Sequence, residues 1–82
     1  MEIQKNKVYK HFKGNYYLVI DIVTNCDNDK PYVLYKALYG DTHLFVRDYQ
    51  DFISPVDKIK HPNTTQKYRF ELQEDYKILK DK

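Results

Sequence analysis

Hydrophobic and polar residues alternate along most of this chain with a period of two rather than 3.6, so the elements they predict are strands. The densest run covers residues 32–47. Its first half, residues 32–39, is rich in β-branched and aromatic side chains and lies between the turn signals Lys30-Pro31 and Gly40-Asp41. Alternation puts Val33, Tyr35, Ala37 and Tyr39 on one face and Tyr32, Leu34, Lys36 and Leu38 on the other. Neither face is polar throughout, so this strand is expected in the middle of a sheet, with the Tyr35/Ala37/Tyr39 face inward. The second half sets Leu44 and Val46 against Phe45 and Arg47, and the latter pair is expected on the solvent face. Gly40-Asp41-Thr42-His43 between the halves supplies a glycine able to take positive φ, which makes the whole run a β-hairpin.

The remaining segments read as partners of that hairpin. Residues 7–12 predict a short strand, Lys13-Gly14-Asn15 a turn, and residues 16–23 a longer strand. In the longer strand, Leu18, Ile20 and Ile22 share one side, while Tyr17, Val19, Asp21 and Val23 share the other, which Asp21 marks as outer. A polar, turn-rich loop over residues 24–31 leads into the hairpin; its Asp27-Asn28-Asp29 lacks the glycine and distal glutamate of a calcium loop. After Arg47, an aspartate able to cap and apolar residues at Tyr49, Phe52 and Ile53 predict one helical turn, ended by Pro55. Residues 56–66 are expected to form a mobile surface loop, and Tyr68, Phe70 and Leu72 alternate as a last strand able to close the sheet. Tyr76, Ile78 and Leu79 among charges predict a short helical turn or a frayed tail. The fold class expected is mainly β: a small, SH3-like, strongly bent, five-stranded and partly open barrel with one short helical turn. It would span residues 1–72 as a single domain, with residues 73–82 as the tail; an OB-type barrel is the alternative.

Composition narrows this picture. At 82 residues the chain makes one small domain, and a domain of that size buries only about 60–65% of its unfolded surface. Nine Tyr and four Phe, with no Trp, must therefore carry much of the burial. Cys26 is the sole cysteine, so no internal disulfide can form. With no leading apolar run and no stretch resembling a membrane span, a soluble protein of the cytoplasm is expected. The net charge of +2 is far from that of a dedicated nucleic-acid binder, but the charges are unevenly spread. Lys5, Lys7, Lys10 and Lys13 face only Glu2 near the start, and Lys58, Lys60, Lys67 and Arg69 have no acid among them. If these two segments were neighbours, they would form a modest positive patch; the plainer reading is a mixed, solvated surface.

Three blocks carry a resemblance. Tyr9-Lys10-His11-Phe12-Lys13-Gly14-Asn15-Tyr16-Tyr17, then Tyr35-Lys36-Ala37-Leu38-Tyr39-Gly40, then Leu44-Phe45-Val46-Arg47 followed by Phe52, resemble the bacterial family known as domain of unknown function 1653. Its members typically read Tyr-Arg-His-Tyr-Lys-Gly, Val-Tyr-Arg-Ala-Leu-Tyr and Leu-Trp-Val-Arg-Pro, then Phe. The resemblance runs from residue 9 to about residue 70. It implies a compact SH3-like barrel and brings no activity. Lys36 stands where the family usually has Arg, Phe45 where it has Trp, and Asp48 where it has Pro. Trp and Arg are strong anchors of binding surfaces, so a shared ligand would be held more weakly here.

No catalytic arrangement emerges. His11, Asp41 and Arg47 could meet if the first turn lies beside the hairpin, but no positioned nucleophile joins them, since Cys26 sits in a loop with no basic neighbour nearer than Lys30. Cys26, His11, His43 and His61 lack the paired spacings of a zinc site. No enzyme activity, cofactor or metal is expected. A binding module is the leading expectation: Phe45 and Arg47, beside Tyr35, Lys36, Tyr39 and Asp41 of the hairpin and His11 and Lys13 of the first turn, would form an aromatic shelf edged with positive charge. Such a shelf suits an extended peptide of a protein partner; single-stranded nucleic acid held by the basic segments is the alternative. The competing reading makes these rings the core and Arg47 an ion-pair partner of Asp41 or Asp48.

Overall fold

The computed structural model describes residues 2–76. Five strands form a single antiparallel sheet: β1 (Val8–His11), β2 (Tyr16–Thr24), β3 (Pro31–Ala37), β4 (Leu44–Asp48) and β5 (Phe70–Leu72), in the spatial order β4-β3-β2-β1-β5. One helical turn, α1 (Tyr49–Phe52), follows β4 directly. The fold is mainly β, as the alternation predicts. The sheet does not close into a barrel, because β4 and β5 are its two edges with no ladder between them. No helix among the described residues is long and apolar enough to cross a membrane.

Side chains bridge the gap between those edges, helped by backbone bonds from Arg69 N–H to Ser54 O and from Val56 N–H to Lys67 O, both at 2.9 Å. Phe52 of α1 stacks on Phe70 of β5 with ring centroids 4.0 Å apart, and Arg47 of β4 lies over the same Phe70 ring at 5.7 Å. Tyr9, Val19, Val33, Tyr35, Phe52 and Phe70 make the centre of the core, with Ile3 from the N-terminal segment covering one side. Burying a ring of Phe52's or Phe70's size is worth about 1.5–3 kcal/mol, so these two residues weld helix to edge strand. The helical turn forms where expected because the Asp48 carboxylate accepts from the Gln50 and Asp51 N–H groups, at 2.8 and 3.2 Å.

Two faces differ from the expectation, each for a local reason. In β2, Tyr17 pairs with Ala37 and Val19 with Tyr35, yet Asp21 pairs with Leu34, so Ile20 is an extra residue in a β-bulge. Up to the bulge, Tyr17 and Val19 point to the core; beyond it the parity reverses and Ile22 points there instead. Asp21 does lie outside, paired with Lys5 at 3.1 Å. A strict alternation cannot put Val19 and Ile22 on one face, and the inserted residue does. In β4, Phe45 lies opposite Tyr35 and Arg47 opposite Val33. Facing residues of paired strands share a side, so Phe45 and Arg47 belong to the core side and not to the opposite one, where Leu44 and Val46 stand exposed. The strand β3 is interior, flanked by β2 and β4, although β2 is the middle strand.

The connection from Ser54 to Arg69 contains no named strand but is tied across itself. Pro55 forms a bridge with Tyr68, the Lys58 Nζ donates to the Thr64 and Gln66 carbonyls at 2.9 and 2.8 Å, and Gln66 Nε2 donates to Lys10 O at 2.9 Å. Val56 is buried within it. The tail expectation for Ile78 and Leu79 lies outside the described residues.

Candidate binding face

The core side of the sheet collects aromatic rings from all five strands. Cross-strand pairing sets Tyr9 beside Tyr17, Val19 beside Tyr35, Tyr35 beside Phe45 and His11 beside Phe70. Ring centroids follow one another across the sheet: Phe45 to Tyr35 at 5.7 Å, Tyr35 to Tyr17 at 5.3 Å, Tyr17 to His11 at 6.4 Å, His11 to Phe12 at 4.5 Å and Phe12 to His61 at 4.8 Å. Tyr35 is buried at the base of this run, whereas Phe45 is 41% exposed and Tyr39 43%. The face is thus both core and surface: its floor is packing, its rim is open.

Hydrogen bonds hold the rim. The Tyr17 and Tyr39 hydroxyls lie 2.9 Å apart, and burial, followed by this neighbour, pushes the Tyr17 phenol up to about 12. Arg47 donates through Nε to the Tyr35 hydroxyl at 3.2 Å and through Nη1 to the Asp51 carboxylate at 2.6 Å. Burial alone would pull the guanidinium down, but these two partners outweigh it and raise its pKa. Arg69 approaches the other Asp51 oxygen at 3.7 Å. Partial burial, then the charges of Arg47, Arg69, Lys13 and His61, pull His11 down to about 4, and its Nδ1 accepts from the Lys13 N–H at 3.1 Å.

Of the residues expected at the site, His11, Tyr35, Tyr39, Phe45 and Arg47 come together. Lys36 does not, because it alternates with Tyr35 and faces the other side of β3. Asp41 does not either: it turns toward His43 at 3.6 Å in the exposed hairpin loop. The ion pair expected between Arg47 and Asp41 or Asp48 is made instead with Asp51, one helical turn further on, since Asp48 is occupied as the cap. Lys13 sits at the far end of the ring run, over Phe12 at 6.0 Å. Sequence reading missed Tyr17, Asp51, Arg69 and Phe70 as members of this face. The i,i+4 spacing of Arg47 and Asp51 was the one available signal, and the bulge hid Tyr17. Among the described residues no three of His, Cys, Asp and Glu lie close enough to hold a metal ion.

The family model described as protein of unknown function (DUF1653) matches residues 7–72. The chain belongs to the DUF1653 family. A crystal structure of a DUF1653 protein from Bordetella bronchiseptica is similar, with 25% sequence identity and a TM-score of 0.66, covering 83% of this chain and 85% of that one. No curated protein matches. The DUF1653 match spans β1 to β5 and so includes the whole ring run up to Phe70, together with the Arg47–Asp51 pair.

Proposed function

We propose that this DUF1653 domain is a non-catalytic binding module that takes an extended peptide of a protein partner along the edge of β4, next to the Phe45 ring. One observation carries this reading: β4 is an edge strand whose outward backbone groups have no strand partner among the described residues. Ala37 N–H donates to His43 O at 2.9 Å, which makes Tyr35/Phe45 and Val33/Arg47 the hydrogen-bonded pairs of the ladder. Leu44 and Val46 therefore aim their N–H and C=O groups at the free edge, and their side chains are 60% and 58% exposed. An added strand would complete those hydrogen bonds, while alternate side chains would meet Phe45 on one face and Val46 on the other. Native edges of this kind are usually protected by charged side chains, proline or a bulge; β4 has its charges at Arg47 and Asp48 and none at the outward positions Leu44 and Val46.

The charge on this face favours a peptide over nucleic acid. Arg47 already has a carboxylate partner in Asp51, so a phosphate there would compete with an ion pair at 2.6 Å. Peptides selected by phage display on the wild-type domain test the reading. They should bind Phe45→Ala and Val46→Pro at least about tenfold more weakly, a loss of about 1.4 kcal/mol. Val46→Pro removes an outward N–H and leaves the pairs with β3 in place. Peptides that bind Val46→Pro as tightly as the wild type would sink the idea.

A further inference from the structure

The two basic segments of the chain meet. β1 and β5 are paired, and the turn after β1 lies against the loop that precedes β5, with the Phe12 and His61 rings 4.8 Å apart. Between them is an open cleft of about 380 Å³ lined by Phe12, Lys13, Lys60, His61, Asn63 and Thr64 among others, and no acidic residue lines it. It stands at the opposite end of the ring run from Phe45.

The loop that forms the cleft is held in place by its own hydrogen bonds. The Asp57 carboxylate accepts from the Ile59 and Lys60 N–H groups at 3.0 and 3.3 Å, and its carbonyl accepts from the His61 N–H at 2.9 Å. Lys58 is consumed in tying this loop through Thr64 O and Gln66 O. Glu71 is similarly occupied, receiving the Lys67 and Tyr68 N–H groups at 2.8 and 2.9 Å. The acids nearest in sequence, Asp57 and Glu71, thus serve the backbone, and among the described residues neither Lys13 nor Lys60 has a carboxylate within ion-pair distance.

We infer that this cleft is a nucleotide site, in which Lys13 and Lys60 hold a phosphate while a planar base lies against the Phe12 and His61 rings. Two cations, an amide and a hydroxyl around a pair of rings match that chemistry and leave an apolar peptide side chain little to gain. The ligand can come from two sources, a free nucleotide or a unit within a single strand. Either binds without engaging β4, so the site is independent of the peptide edge.

The test is titration of labelled protein with adenosine monophosphate, short oligo(dT) and inorganic phosphate, read by amide chemical shifts. Shifts confined to the Phe12–Lys13 turn and the loop from Lys60 to Thr64 are expected with the first two probes. Preference for oligo(dT) identifies the strand as the source, and equal affinity identifies the free nucleotide. One neutralised phosphate on a single strand predicts a slope of log affinity on log salt of about −0.7, or roughly a 2.6-fold loss from 50 to 200 mM. Lys13→Ala and Lys60→Ala should each weaken binding and flatten that slope, and both positions are exposed, so the variants should fold. Phe12→Leu should weaken binding with the slope unchanged, and Phe45→Ala should have no effect. Inorganic phosphate binding as tightly as adenosine monophosphate would overturn the nucleotide assignment, as would absence of shifts in the cleft at low salt.

Discussion

Replacing Asp51 with Asn keeps the shape of the helical turn and the backbone bonds of residue 51, but removes the one carboxylate that Arg47 and Arg69 share. A hydrogen bond between charged groups contributes about 1.5–3 kcal/mol where it is shielded. Here the Arg47 side chain is 32% exposed and the Asp51 side chain 44%, so solvent screens a good part of it. A loss of about 1–2 kcal/mol is expected after that discount. For a domain of this size each kcal/mol moves the melting temperature by about 4–8 °C, so Asp51→Asn should melt about 4–16 °C lower. Thermal unfolding followed by circular dichroism at neutral pH, at low and high salt, measures this, and added salt should narrow the gap. The cycle with Arg47→Met isolates the pair, with an expected coupling of about 1 kcal/mol. A coupling within error of zero would refute the reasoning, since it would mean that the 2.6 Å contact in the structure is fully exchanged for water.

Two further outcomes follow from the packing. Because the His11 pKa in the folded protein is about 4 against 6.5 for a free imidazole, the unfolded chain takes up the proton first. Stability should be full above pH ~6.5 and fall by about 1–2 kcal/mol, discounted for partial exposure, as pH drops toward ~4; His11→Gln should flatten that slope in urea titrations, and an unchanged slope would remove His11 as its cause. Deleting Ile20 should cost little more stability than Ile20→Ala, because without the extra residue plain alternation still leaves Asp21 opposite Leu34 and Ile22 on the core side opposite Val33. A loss several times larger, measured in the same urea titrations, would contradict the register described.

How far the chain could be read beforehand depended on whether the relevant interaction was local. Alternation in residues 32–39 and 44–47, the capping Asp48 and the turn glycines are local signals, and with the alternation elsewhere they located the five strands and the helical turn within a residue or two. The membership of the candidate face was legible where cross-strand register happened to agree with alternation, as for Tyr35 and His11. It failed at Tyr17, since a bulge leaves no mark in a hydrophobic pattern that is apolar on both sides. It failed at Arg47 for another reason: three aspartates lie within six residues of it, and only the cap geometry decides which one is free to pair. Phe45 was expected outside because its neighbour carries a charge, yet a guanidinium can lie over a ring and still reach a carboxylate.

The bulge at Ile20 also bears on how relatives should be compared. A DUF1653 member that lacks the extra residue would keep the same order of inward and outward side chains in a strand one residue shorter, and without a gap the two sequences would look dissimilar where their structures coincide. Matching such chains by their apolar positions alone would slide them by one residue just past Val19 and set Asp21 against a core position. A single gap opposite Ile20 restores the correspondence, and the identity counted across the family depends on where that gap is put.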